Sequence, residues 1–246
     1  MKLLVCVSKT PETTTKIAVN GDGNGLKTDG VQYIMNPYDE WYALVRAIEL
    51  KEANGGSVTL LNVGPASNDT VIRKGLAIGA DNAVRVNSEE SSALFIAKQI
   101  AAHAEKENYD IVFLGKETID HNRSEVGAMV AEFLDLPYVS FANDLEVADG
   151  VATVSREIEG GTETIEVPTP LVLSAAKDLA EQRIPNMRGI MMAKRKPLKV
   201  EEPVAYDAHI SMTALELPPA KTAVKLVDPE NMEELVRLLN EEAKVI

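Results

Sequence analysis

The residues best placed for chemistry in this 246-residue chain lie in a polar loop between a strand-like and a helix-like segment. Four apolar residues from Ile111 predict a buried strand that ends at Gly115, and an apolar pattern with helical spacing begins at Val126. The free N–H groups and the positive dipole end of such a helix attract an anion, and Ser124 has the side chain of an N-cap residue. The segment therefore predicts either a phosphate site or an ordinary strand-to-helix turn. It matches neither the G-x-G-x-x-G fingerprint nor the P-loop motif.

The other titratable residues form no recognisable catalytic or metal-binding motif. The three histidines, His103, His121 and His209, lack metal-ligand spacing, and the sequence has no G-x-S-x-G or H-E-x-x-H motif. Cys6, the single cysteine, lies in an apolar run, which favours a packed small hydrophobe over a nucleophile. We therefore expect no catalytic residue and no metal site, and we interpret His121 as a loop contact and not as a general base.

Composition excludes several classes of protein. A net charge of −13 argues against nucleic-acid binding, which needs a basic surface. No apolar run approaches the roughly 18 residues that a membrane span requires. The opening residues predict a first strand and not a signal peptide, and a single cysteine suits a reducing compartment. We therefore expect an acidic, soluble, cytoplasmic protein.

Strands and helices alternate through residues 1–137, the predicted nucleotide-binding core. We predict strands at 2–7, 57–63, 82–86 and 111–114, and helices at 37–54, 69–78, 91–106 and 126–134. A hairpin excursion is predicted from the runs at 15–19 and 30–34, with a turn at 21–25. This alternation predicts an α/β fold with a doubly wound, mostly parallel, Rossmann-like sheet of the adenine-nucleotide-hydrolase type. Ligands bind such sheets beyond the carboxyl ends of the strands, where strand order reverses. Breaks at residues 8–10, 64–65 and 115 onward fall at that edge and predict one shared nucleotide crevice.

The pattern changes after residue 137. Residues 138–196 predict a β-rich part that completes the domain, with strands at 151–158, 164–167 and 171–174. Ile184 and Met187 flank a proline in a loop upstream of basic residues 194–196, which predicts either an interface anchor with a basic rim or core packing with a solvated helix end. Residues 197–246 predict an extension that docks on another surface. Its final helix, at 230–243, has one apolar face formed by Met232, Leu235, Leu238 and Leu239.

Four groups of residues resemble the small (beta) subunit of electron transfer flavoproteins, and together they cover nearly the whole chain. They are residues 5–7 with 29–31 and 35–37; 64–65 with 77–81; 114–116 and 120–127 with 133–135; and 154–163 with 170–172. The last group, VSREIEGGTE followed by PLV, is the most specific because sheet patterning alone does not require it.

The resemblance implies an electron carrier without catalytic residues of its own. It implies a heterodimer with a larger alpha subunit, which holds most of the FAD, while the beta subunit buries an AMP. The heterodimer would carry electrons from flavin-dependent dehydrogenases to a quinone oxidoreductase or another acceptor. The C-terminal extension would dock on the alpha subunit.

The same resemblance implies roles for particular residues. Tyr38 falls where an aromatic residue approaches the FAD, and Ile184 and Met187 fall in the partner-recognition loop at 181–194. The implied AMP-binding residues are Cys6, Asn36, Val63, Gly115, Asp120, His121, Asn122, Arg123, Ser124, Glu125 and Val126.

Two departures from the family pattern keep alternatives open. Residues 125–127 are Glu-Val-Gly, where AMP-binding members often have Gln-Thr-Gly. Bifurcating members, which hold a second FAD in this crevice, tend to have Asp-Gly-Asp-Thr-Ala-Gln-Val-Gly-Pro, which Val126-Gly127 matches and residues 121–123 and Ala128 do not. We favour AMP. The rival classes are a stand-alone adenine-nucleotide sensor and an ATP-using enzyme, although residues 8–11 offer neither a glycine-rich loop nor metal carboxylates.

Overall fold

The computed structural model of the chain describes residues 1–207, 209–210, 212–221 and 223–246. Its strands are β1 (Lys2–Cys6), β2 (Lys9–Pro11), β3 (Tyr33–Met35), β4 (Ser57–Gly64), β5 (Asn82–Asn87), β6 (Ile111–Gly115), β7 (Tyr138–Ala148), β8 (Val151–Ile158), β9 (Gly161–Pro168), β10 (Leu171–Ala175) and β11 (Leu198–Glu201). Its helices are α1 (Asp39–Asn54), α2 (Asp69–Ile78), α3 (Ala93–Glu107), α4 (Val126–Leu134), α5 (Met187–Ala193) and α6 (Met232–Arg237), the last continued by a π-helical turn, Leu238–Glu242.

Nine of these strands form one sheet, in the order β11-β5-β4-β1-β6-β10-β7-β8-β9. The strands from β11 to β7 pair in parallel, whereas β8 and β9 add an antiparallel edge. The chain proceeds from β1 to β4 and β5 on one side and then crosses back to β6 on the other side of β1. Strand order therefore reverses at β1, as the doubly wound fold requires, and the predicted α/β fold class is confirmed.

The two faces of the sheet carry separate hydrophobic cores. Alternate residues of β1 point to opposite faces: Leu3 and Val5 pack with α1 and α2, whereas Leu4 and Cys6 pack with α3 and α4. Burial on both faces explains why the central strands are continuous apolar runs and not alternating patterns. Helix layers on both faces hold the carboxyl ends of β1, β4 and β6 in fixed positions.

Some elements differ from the sequence-based prediction. β10 returns to the parallel part of the sheet between β6 and β7, and all of its residues are buried. β7 and β11 were not predicted, because polar side chains interrupt the apolar pattern of both strands. α1 begins at Asp39 and not at Pro37, because Tyr38 has a φ of +64°, which a helix cannot contain. The predicted hairpin is only partly present. Residues 15–18 form no strand, and the antiparallel pair consists of β2 and β3, with an isolated bridge between Val19 and Leu26.

Candidate functional site

A crevice opens beyond the carboxyl ends of β1, β4 and β6, where strand order reverses. It has two adjoining parts, which share Cys6, Ser8 and His121 among their lining residues. The first part contains the start of α4, and the second lies over the end of β4.

The start of α4 gives the first part of the crevice its capacity to hold an anion. Asn122 and Ser124 have φ values of +50° and +52°, so the loop turns sharply before the helix begins at Val126. The Ser124 hydroxyl donates a hydrogen bond to Glu117 Oε2 at 3.1 Å, which fixes the turn from within. The first N–H groups of α4 have no acceptor inside the helix and face a site lined by residues 123–127. A phosphate fits this arrangement.

Asn36 fixes the other end of the crevice loop. It is fully buried. Its Nδ2 donates to the carbonyl oxygen of Glu117 and its Oδ1 accepts from the N–H of Ile119, each at 3.0 Å. These two bonds satisfy backbone groups just after β6, where strand-to-strand hydrogen bonds are no longer available. Asn36 therefore holds the loop in place and does not itself line the crevice.

The second part of the crevice combines an apolar wall with a polar rim. Ile96 and Ile100 of α3 line it together with Val63, and such an apolar surface suits a base. Cys6 lies in the floor, and burial, together with the nearby Glu40 carboxyl, raises the pKa of its thiol, which therefore stays protonated. His121 is exposed at the rim, 4.0 Å from Asp120. Within the described part of the chain, no cluster of side chains could hold a metal ion.

Most of the residues predicted from the sequence come together here. Nine line the crevice: Cys6, Val63, Gly115, Asp120, His121, Arg123, Ser124, Glu125 and Val126. Asn36 and Asn122 do not line it; the first holds the loop and the second shapes its turn.

Glu40 is a site residue that sequence reasoning missed. It belongs to α1 but reaches the crevice, where it is only 4% exposed, and its Oε2 accepts a hydrogen bond from the N–H of Ser8 at 2.6 Å. A Cβ at Gly115 would lie 2.8 Å from Glu40 Cγ and 3.0 Å from Glu40 N, so α1 packs directly on the end of β6. Burial raises the pKa of Glu40 to about 8. An Asp-Glu pair at a helix start predicts solvated charges, so the sequence carried no signal for this role.

Tyr38 lies just outside the crevice, as the N-cap residue of α1. Its side chain is 53% exposed, and its positive φ is unusual for a bulky residue. The ring is therefore available to a second chain or a ligand that approaches this surface. Two residues along α1, Glu40 points into the crevice, so one helix start serves both surfaces.

The predicted partner-recognition segment is strongly exposed. The side chains of Ile184 and Met187 are 86% and 74% exposed, so neither is a core residue of this chain. Met191, one turn later in α5, is 67% exposed and extends the same apolar surface. The Oδ1 of Asn186 caps α5 by accepting from the N–H of Gly189 at 2.8 Å.

Both ends of this segment are attached to the α/β core. At its start, Arg183 pairs with Glu52 through two bonds of 2.8 and 2.9 Å, and Trp41 Nε1 donates to the Arg183 carbonyl at 3.1 Å. At its end, Lys196 Nζ donates to the carbonyls of Leu76 and Ala80 at 2.9 and 2.5 Å. Lys196 is therefore turned inward and is not part of a basic rim, whereas Lys194 and Arg195 are exposed.

The C-terminal helix shows a mixed face. Met232 and Leu235 are 53% and 36% exposed, whereas Leu238 is buried. The predicted apolar face is therefore only partly free. No helix in the described ranges is both long enough and apolar enough to cross a membrane.

Comparisons with known proteins agree with this architecture. The family described as "Electron transfer flavoprotein domain" matches residues 24–205. The chain is 36% identical to the electron transfer flavoprotein subunit beta of Bacillus subtilis, over 100% of both chains, and 36% identical to the human subunit, over 100% of this chain and 99% of the human one. It is 37% identical to the Syntrophomonas wolfei subunit, over 93% of this chain and 90% of that one.

Proposed function

The chain belongs to the electron transfer flavoprotein family, with beta subunits as its relatives, and from that premise we propose that it forms a heterodimeric electron carrier with an alpha subunit. In this carrier the crevice buries one AMP. The observation that carries the AMP assignment is the start of α4, whose free N–H groups line a crevice with an apolar wall at the strand-order reversal.

In this proposal, different crevice residues bind different parts of the nucleotide. The backbone of Ser124, Glu125 and Val126 binds the phosphate. Val63 contacts the ribose and adenine side together with Ile96 and Ile100, and Cys6 provides the floor. The side chains of His121 and Arg123 lie at the exposed rim, where they screen the phosphate charge from Asp120 and Glu125. The AMP is structural in this proposal, because it joins the ends of three strands to the start of one helix.

FAD, when bound, supplies the redox chemistry of the heterodimer. In our proposal the alpha subunit holds most of it, and the exposed ring of Tyr38 closes the site from the beta side. Flavin-dependent dehydrogenases donate the electrons, and a quinone oxidoreductase or another acceptor removes them. The exposed apolar side chains of Ile184 and Met187 supply the docking surface for such a partner.

The test is co-purification of the chain with its alpha subunit, followed by denaturation and chromatographic identification of the released nucleotides. We expect one FAD and one AMP per heterodimer. Ser124→Trp should eliminate the AMP by filling the phosphate site, whereas Thr13→Trp, which adds the same bulk on an exposed loop, should keep it. A heterodimer without adenine nucleotide would overturn the proposal.

Two other outcomes separate the alternatives. Two FAD molecules and no AMP would assign the crevice to the bifurcating type, which the Val126-Gly127 pair favours. Tight nucleotide binding by the isolated chain, without any association with an alpha subunit, would instead indicate a stand-alone sensor.

A further inference from the structure

Glu40 is a carboxyl group in the phosphate side of the crevice. It lines the part that contains Ser124, Glu125 and Val126, and it does not line the part over β4. One of its oxygens, Oε2, accepts from the N–H of Ser8 at 2.6 Å. The Ser8 hydroxyl also bonds this carboxyl, and within the described part of the chain no residue other than Ser8 donates a hydrogen bond to it. The carboxyl belongs to a side chain that lines the crevice.

The groups that face Glu40 do not include a cation that stabilises its charge. Burial is the largest cause of its raised pKa, and the carboxylates of Asp120 and Asp39 raise it further, against the effect of the bonds from the Ser8 hydroxyl and N–H. The charged or titratable groups of the surrounding elements are Cys6 on β1, Lys9 after it, Asp39 on α1, and Lys116, Glu117, Asp120, His121, Arg123 and Glu125 on the crevice loop. Arg123 pairs with Glu125 at 3.6 Å. Lys116 pairs with Glu117 at 3.4 Å, and Lys9 bonds Ser67 at 2.8 Å, so both lysines are directed elsewhere.

A negative charge at this position would repel a phosphate, whereas a neutral acid can donate a hydrogen bond to it. We propose that Glu40 is a protonated positioning residue that donates a hydrogen bond to the nucleotide phosphate and so ties nucleotide retention to pH. The proposal rests on the AMP site proposed above. Two features of the geometry support this role. The Ser8 N–H holds one oxygen of the carboxyl, and the side chain lines the crevice, where the ligand can reach it.

The sign of the pH dependence follows from the protonation state. Below about pH 8 the acid is neutral and the donor is present. As the pH rises above that value, the proton is lost, the donor disappears and a repulsive charge replaces it. The phosphate itself is dianionic across the range in which Glu40 loses its proton, because its second pKa, near 6, lies well below that range. AMP release should therefore accelerate in alkaline solution, by up to about tenfold per pH unit, with no contribution from the ligand's own ionisation.

The experiment measures the rate at which the intact heterodimer releases radiolabelled AMP into an excess of unlabelled AMP, at pH values from 6.5 to 9. For the wild type we expect a constant rate up to about pH 7.5 and a rising rate above it. Glu40→Gln keeps a neutral donor and should release AMP at the wild-type rate at pH 7, without any alkaline rise. Glu40→Leu lacks both the donor and the titrating charge, so it should release AMP at least about tenfold faster than the wild type at pH 7, at a rate that does not change with pH.

A control variant removes a neighbouring basic group. Lys9→Gln removes an amine whose pKa burial lowers, and it should keep the alkaline rise. A rise that persists in Glu40→Gln, or a wild-type rate at pH 7 in Glu40→Leu, would overturn this inference. If the wild-type heterodimer contains no AMP, the proposed function itself fails, which is a different result from AMP that is bound but released independently of pH.

Discussion

A single buried carboxyl group illustrates what decides a residue's role in this molecule. Asp39 and Glu40 are neighbours of similar chemistry at the start of α1, yet Asp39 is half-buried, whereas Glu40 is enclosed between Ser8 and Gly115. The sequence pattern predicts two charges that complement the helix dipole. Helix direction and the close approach of β6 make one of them a neutral group in the crevice.

Protonation of Glu40 should also be visible in stability. Its pKa is raised from 4.5 to about 8 on folding, so the unfolded chain loses the proton above pH 4.5 while the folded chain keeps it. The contribution of Glu40 to the free energy of unfolding is therefore fully present below pH 4.5 and decreases as the pH rises to about 8. Glu40→Gln removes this dependence. The difference in midpoint temperature between Glu40→Gln and wild-type heterodimers should grow from pH 5 to pH 8, corresponding to at most about 1.4 kcal/mol per pH unit. A difference in midpoint temperature that stays constant between pH 5 and pH 8 would contradict the protonation of Glu40 in the folded protein.

Gly115 should be required because any larger residue would collide with the start of α1. A Cβ there would meet the Glu40 side chain at 2.8 Å and its backbone nitrogen at 3.0 Å, so α1 would have to move away from β6. Gly115→Ala should destabilise the protein by about 1–3 kcal/mol and accelerate AMP release. Gly21→Ala is the matched control, because nothing lies within 4 Å of its added methyl group. Equal midpoint temperatures for both variants would show that the helix start adapts without strain.

Met187 should contribute to partner binding and not to folding. Its side chain is 74% exposed, so Met187→Ala removes little buried surface from this chain. If the side chain enters a partner pocket, truncation should cost ~2 kcal/mol of binding and raise the apparent Michaelis constant for flavoprotein reduction by a dehydrogenase. Met212→Ala, at a methionine that is 61% exposed in the C-terminal extension, should leave that constant unchanged. An unchanged constant for Met187→Ala would exclude this anchor.

At the scale of elements, sequence patterns predict what is locally encoded. α2 was predicted at the bounds that the structure shows, because its apolar spacing, its acidic first turn and its terminal glycine all agree. β7 and β11 could not be predicted from their own residues, because β11 is held by pairing with the distant β5, and β7 by pairing with β10 as well as with its neighbour β8. The inward direction of Lys196 could not be predicted for the same reason. It depends on carbonyls of α2 and the following turn, about 120 residues earlier.

The attachment of α5 to α2 should therefore depend on Lys196. Lys196→Met removes two hydrogen bonds to buried carbonyls, so the amide protons of α5 should exchange faster and electron transfer from a dehydrogenase should weaken. Lys194→Met loses the same charge at an exposed position and should alter only the salt dependence of the encounter. Identical exchange rates in the two variants would show that Lys196 acts through its charge alone.

At the scale of the whole molecule, the alternation of elements predicts the fold class and the edge of the sheet at which the crevice opens. The order of the strands is not predictable in this way, since β10 is inserted between β6 and β7 by pairings that span up to 60 residues. Nine of the eleven expected crevice residues line the site because they lie at strand ends or in the loop after β6, whereas Asn36 and Asn122 support it from outside. Their roles are set by the three-dimensional course of the loop.

The C-terminal extension should join this fold to the alpha subunit. Met232, Leu235 and Val236 of α6 are exposed, and burying each such side chain is worth roughly 1.5–3 kcal/mol. Truncation after residue 229 should therefore weaken the heterodimer strongly while leaving AMP in the crevice, which lies on other elements. Met232→Gln with Leu235→Gln should weaken it less, and Glu233→Gln, the control on the same turn, should have no effect. Sedimentation over a dilution series measures the dissociation constant, and an unchanged constant after truncation would show that α6 is not part of the interface.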